Sequence, residues 1–255
     1  MKFTRKAAMA AVLIAVLNGV AARAGSLLDL VLVLDGSGSI SNSEFTLQRE
    51  AYASAFESQQ ILDLVRSAAP SGGLRLAVVV FATSARTAID WTPLTSEADS
   101  LAFASAFRQV GRSGVGSGTR IDLGLDQAWT LFDGLDDPSD NLMVDVSGDG
   151  TSNATTTRAA RDRLAALGVD RINGLAIGTA TIANFYRDNV MHGDDAFVLR
   201  VDTFDLFEQA IYRKLEIEIG SVVVPEPSSI VMATIGLALA TAAGAKARRR
   251  LALGA

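Results

Sequence analysis

Apolar and polar positions along this chain group into strand-length hydrophobic runs, separated by stretches whose apolar residues recur at helical spacing. Leu27 to Leu34 is nearly continuous apolar sequence, broken only by Asp29, as expected of a strand covered on both faces. Ser41-Asn42-Ser43-Glu44 has capping-box spacing, and Phe45, Tyr52 and Phe56 follow at helical intervals, which predicts a helix from Ser43 toward Gln60. Ser71-Gly72-Gly73 marks a turn, Leu74 to Phe81 a second strand, and Arg86 to Trp91 a short edge strand beside it. Thr95 and Glu97 open a helix through Phe103 and Phe107, and a glycine-rich loop, Gly111 to Gly118, precedes a helix over Ile121–Phe132. A strand at Leu142–Val146 leads to a helix at Thr155–Leu167 that Gly168 ends. Then come a strand at Arg171–Ile177, a helix at Ile182–Val190, a strand at Phe197–Val201 and a helix from Phe204 to Leu215. This alternation predicts an α/β domain with a doubly wound, mostly parallel central sheet and helices on both faces. Ligands in such sheets bind at the carboxyl ends of the strands, so polar motifs there carry the interest.

The two ends read differently. Lys2, Arg5 and Lys6, the apolar run Ala7–Val16 and the small-residue site Ala22-Arg23-Ala24 form a signal-peptide pattern, with residues 1–24 removed on export. At the other end, Val224-Pro225-Glu226-Pro227 interrupts any regular element, and an apolar run from Ile230 to Ala245 leads into Lys246, Arg248, Arg249 and Arg250. That run is somewhat short for a membrane span, which needs about 20 residues. Its basic end would stay cytoplasmic, leaving the middle of the chain outside. Pro-Glu-Pro, an apolar helix and an arginine cluster in this order resemble the PEP-CTERM sorting tail of Gram-negative bacteria. The resemblance implies an exosortase-type processing enzyme as a partner, and a cell-envelope location either anchored in the membrane or released after tail cleavage. The organisation expected is therefore a signal peptide (1–24), one domain (25–220), a linker (221–229) and a C-terminal membrane or sorting segment (230–255).

Charge narrows the function. The chain carries 23 basic and 28 acidic residues; eight of the basic and one of the acidic lie in the two ends, leaving residues 25–224 at a net charge of −12. Such a field repels nucleic acid and concentrates divalent cations. With no cysteine, neither disulfides nor thiolate metal sites are available.

Asp35-Gly36-Ser37-Gly38-Ser39 sits where the first strand stops. A carboxylate and two hydroxyls are hard oxygen donors that suit Mg²⁺, with Mn²⁺ or Ca²⁺ as alternatives, rather than Zn²⁺. The interleaved glycines let alternate side chains converge. A dinucleotide fingerprint fails because position 41 is Ser, and a haloacid-dehalogenase nucleophile fails because the second Asp is replaced by Ser37. Two further segments fall on the same rim: Ser117-Gly118-Thr119 offers another hydroxyl, and Ser147-Gly148-Asp149-Gly150 a second carboxylate.

Asp35-x-Ser37-x-Ser39, Thr119 and Asp149, in this order on these elements, resemble the metal-ion-dependent adhesion site of the von Willebrand factor A (VWA) family. The resemblance covers residues 26–220. It implies a sheet parallel but for one short antiparallel edge strand. It also implies Ser37, Ser39 and Thr119 as direct metal ligands, and Asp35 and Asp149 as ligands either directly or through water. In the family a carboxylate from a protein or matrix partner completes the metal's octahedron. This sequence departs from the family in one place: a Ser or Thr usually stands directly before the Asp-Gly, whereas here Gly148 separates Ser147 from Asp149. Asp145 is a rival carboxylate, read here as a strand residue paired with an arginine or a backbone amide.

The remaining signals are weaker. His192 is the only histidine, no Gly-x-Ser-x-Gly elbow accompanies it, and it reads as a loop residue. Gly114–Thr119 lacks the Lys of a phosphate loop. The reading is thus an exported, non-enzymatic, cation-dependent adhesion or interaction module, with a metal-assisted hydrolase or a purely structural metal domain as alternatives.

Overall fold

The computed structural model describes residues 26–223. The expected signal peptide and the C-terminal apolar segment lie outside the described residues. The elements are β1 (Leu28–Asp35), α1 (Asn42–Glu57), α2 (Gln59–Ala68), β2 (Leu74–Phe81), β3 (Ala85–Leu94), α3 (Glu97–Arg108), α4 (Ile121–Asp133), β4 (Leu142–Gly148), α5 (Ala154–Leu167), β5 (Arg171–Ile177), α6 (Ala180–Asn189), β6 (Val198–Val201) and α7 (Phe207–Val223). Short 3₁₀ turns at Ala69–Ser71 and Phe204–Leu206 follow α2 and precede α7.

The sheet order is β3-β2-β1-β4-β5-β6, and every pairing is parallel except β2 with β3. After β1 the chain builds outward through β2 and β3, then returns to add β4 on the other side of β1. The order therefore reverses between β1 and β4, the position at which sheets of this kind bind ligands beyond the carboxyl ends of the strands. Alternate residues divide the core into two layers. Leu28, Leu30, Leu32 and Leu34 pack with α1, α2, α3 and α7, while Val31 and Val33 pack with α4, α5 and α6. Covered on both faces, β1 is buried along its whole length, which is why its sequence is apolar at both parities.

Local chemistry sets the boundaries. Ser41 makes the expected capping box, accepting from the Glu44 amide at 3.2 Å while Glu44 Oε2 accepts from the Ser41 amide at 2.8 Å. The single helix expected over Ser43–Gln60 is instead two. Ser58 adopts an extended conformation, donates its hydroxyl to Ala55 O at 2.7 Å and accepts from the Ile61 amide at 3.3 Å, so it ends α1 and caps α2. The edge strand is longer than expected and carries a register irregularity against Leu76–Val79. The last helix runs on to Val223. His192 exchanges backbone hydrogen bonds with Ile172 near the start of β5, at the opposite end of the sheet from Asp35.

Candidate metal centre

Three loops meet at the carboxyl ends of β1 and β4. The first leaves β1 at Asp35 and is pinned on both sides: the Gly36 amide donates to Phe81 O at 2.8 Å, and the Gly38 amide to Ser117 O at 2.9 Å. Within it the Ser37 amide donates to Asp35 Oδ1 at 2.8 Å, folding the carboxylate back over its own loop. Gln48 of α1 reaches Asp35 O at 3.3 Å. The second loop, before α4, is held by Thr83, whose Oγ1 accepts from the Ser117 and Gly118 amides at 3.2 and 2.8 Å. A Cβ on Gly150 would stand 3.0 Å from Thr119 Cγ2, so Thr119 lies against the third loop beside Asp149.

The side chains then form a line. Ser37 Oγ and Ser39 Oγ are 3.0 Å apart, and Ser39 Oγ donates to Asp149 Oδ1 at 2.7 Å. Ser37 is buried and Ser39 exposed, so the cluster runs from the core to the surface. Asp35 Oδ2 is buried and finds no hydrogen-bond partner among the described residues. Burial pushes the Asp35 carboxyl up to about 7; hydrogen bonds from Ser37 oppose the rise, and the charge of Asp149 adds to it. A cation here would reverse that shift by favouring the ionised form. Hard hydroxyl and carboxylate oxygens with one orphaned buried oxygen fit a divalent cation such as Mg²⁺. With two carboxylates near it among the described residues, such an ion would keep affinity for a further anionic oxygen.

Two residues of this site escape sequence reasoning. Arg112 donates to Ser37 O at 3.2 Å, to Ile40 O and to Asn42 Oδ1 at 2.6 Å, and its guanidinium sits 5.3 Å from the centre of the Phe45 ring. It ties the glycine-rich loop to the Asp35 loop, and nothing in its local sequence marks it. Thr83 does carry a signal, since it follows the carboxyl end of β2. Asp145, the rival carboxylate, points into the other layer. There Lys214 of α7 pairs with it at 2.6 Å and Tyr52 donates to it at 3.3 Å. Its partner is a lysine from a distant helix, rather than an arginine or an amide.

A family model described as "Protein of unknown function (DUF1194)" matches residues 26–223. The chain belongs to this DUF1194 family. A second model, the PEP-CTERM protein-sorting motif, matches residues 223–250, as the Pro-Glu-Pro and arginine pattern implies, and marks an exported, envelope-associated protein. No curated protein matches the chain. Among solved structures, proximal thread matrix protein 1 from the mussel byssus is similar at 20% identity and a TM-score of 0.56, over 78% of this chain and 48% of that one. The same protein solved with a zinc-occupied MIDAS motif gives 19% identity and a TM-score of 0.54, over 78% and 47%. The von Willebrand factor type A structure from Catenulispora acidiphila gives 15% and 0.55, over 76% and 43%. The pilus adhesin SpaC from Lactobacillus rhamnosus GG gives 14% and 0.56, over 76% and 30%. The DUF1194 chain thus spans less than half the length of each of these proteins, and what it shares with them is the VWA fold.

Proposed function

We propose that this DUF1194 protein is an exported, non-enzymatic adhesion or protein-interaction module of a Gram-negative cell envelope. It holds one divalent cation, Mg²⁺ by preference, with Asp35, Ser37, Ser39, Thr119 and Asp149, and through it grips a carboxylate on a protein or matrix partner. Residues 1–24 act as the export signal, 25–220 as the binding domain, 221–229 as a linker and 230–255 as the segment that anchors the chain or is removed by an exosortase-type enzyme.

The observation that carries this reading is the line of Ser37, Ser39 and Asp149 oxygens beside the orphaned Asp35 Oδ2, at the point where the strand order reverses. The zinc-occupied MIDAS motif of the mussel matrix protein and the naming of SpaC as a pilus adhesin support it. A hydrolase would need a general base besides the ion's own ligands; Asp35 and Asp149 are taken up as ligands in this reading, and the only histidine sits at the far end of the sheet. Calorimetric titration of the full-length protein with Mg²⁺, with and without an acidic peptide, tests the reading. Peptide binding should require Mg²⁺ and should vanish in Asp35→Ala; peptide binding that survives EDTA overturns it.

A further inference from the structure

Tyr186 projects from α6 into the same layer of the core as Asp35, and it is among the largest fully buried side chains in the domain. Two neighbouring strands give up side chains to admit it. A Cβ on Gly174 of β5 would stand 2.7 Å from Tyr186 Cδ1, and a Cβ on Gly148 of β4 would stand 2.7 Å from its hydroxyl. That same point at Gly148 lies 2.7 Å from Asp35 Oδ2. The phenol oxygen and Asp35 Oδ2 are both buried, and neither has a partner among the described residues. Each oxygen is 2.7 Å from that one point, so the two are at most twice that distance, 5.4 Å, apart; they make no direct hydrogen bond, and one water can bridge them. A buried hydroxyl without a partner costs free energy that a phenylalanine in the same slot would not. Packing alone therefore does not account for the tyrosine.

We infer that Tyr186 is a positioning residue for Asp35: its hydroxyl, through a bridging water, holds one lone pair of Oδ2 while the Ser37 amide holds Oδ1, leaving the other lone pair of Oδ2 aimed at the metal. Tyr186 supplies from α6 a hydroxyl close to where the VWA resemblance expects one from the residue directly before Asp149, and Gly148 is the space that lets it arrive. This inference rests on the metal-binding reading above.

The test is Tyr186→Phe in the full-length protein, with Mg²⁺ affinity measured by calorimetry and the unfolding midpoint measured in EDTA. The midpoint should be unchanged or higher, while Mg²⁺ affinity falls about tenfold, the usual effect of removing a group that orients a ligand. An affinity within twofold of wild type overturns the inference, and so does a drop in the EDTA midpoint large enough to explain the loss. A second readout does not need the metal: in EDTA, the midpoint shifts of Tyr186→Phe and Asp35→Ala should be non-additive, and additive shifts count against the pairing. Should the wild type take up no Mg²⁺, the proposed function falls on that result alone. Additivity in EDTA then decides the link between Tyr186 and Asp35.

Discussion

Strand β1 carries one buried aspartate near its start and another at its end, and they are treated in opposite ways. Asp29 receives Arg75 Nε at 2.8 Å and Nη2 at 2.7 Å, the Ser139 amide at 2.8 Å and the Ser26 hydroxyl. Asp35, equally buried and on the same face, receives the Ser37 amide on one oxygen and, among the described residues, nothing on the other. The first carboxylate is neutralised by Arg75; the second has no ion pair among the described residues. Burial alone therefore does not distinguish the two acids; the presence or absence of a cationic side chain against them does. Asp145 belongs with Asp29, because Lys214 answers it.

The largest effect should come from removing that answer. Lys214 is fully buried, pairs with both Asp145 and Glu218, and lies 5.4 Å from the centre of the Phe197 ring. Lys214→Met leaves two buried carboxylates without a cation and should cost about 3–5 kcal/mol of folding stability in urea unfolding, the usual range for breaking a buried pair. Mg²⁺ affinity should stay within twofold, since the pair faces the layer away from Asp35. A cost below about 1 kcal/mol would mean that Asp145 is not neutralised this way, and the contrast with Asp35 would lose its third case.

A smaller pair of effects tests the contrast at the two ends of β1. Asp29→Asn presents an amide donor toward donors and weakens the Arg75 pairing; Arg75 is partly exposed, so water limits the loss to about 1–3 kcal/mol. The same change at the other end, Asp35→Asn, should leave stability in EDTA at pH 8 unchanged or higher, because it removes a poorly solvated charge, while abolishing the Mg²⁺ response. Equal destabilisation at both ends would break the comparison.

Much of this arrangement is legible in sequence, for physical reasons that differ by residue. A strand covered on both faces must be apolar at both parities, so β1 and β2 read directly. Asp35, Ser37, Ser39 and Asp149 stand out because polar side chains concentrated at strand ends have few structural excuses. The break at Ser58 is hidden, since helix-forming residues flank it on both sides. Lys214 and Glu218 are four apart on α7, the spacing of an ordinary solvated pair, and Glu218 lies beyond the helix end expected at Leu215; only Asp145, across the core, reveals that they are buried. Tyr186 is hidden for a similar reason: its role depends on glycines at 148 and 174, on two other strands. Complementarity between distant segments leaves no local periodicity to read.

The smallest effect is a pH slope, to which Glu218 contributes with the same sign as Asp35. Glu218 is buried beside Lys214, Asp145 and Asn173, whose amide donates to Glu218 Oε1 at 2.9 Å. One lysine cannot fully compensate two buried carboxylates, and burial pushes the Glu218 carboxyl from 4.5 up to about 7, with the Lys214 charge opposing the rise and that of Asp145 adding to it. Between these values the folded protein holds a proton that the unfolded chain has released. This contribution to stability is therefore fully present below about pH 4.5 and is lost as pH rises through 7. Glu218→Gln imitates the protonated form at every pH. Its urea midpoint in EDTA should match wild type near pH 5 and exceed it at pH 8, flattening the profile between them. A variant whose deficit is the same at both pH values would place the titrating group elsewhere, and would make the Asp145 cluster an ordinary ion pair rather than one acid short of a cation.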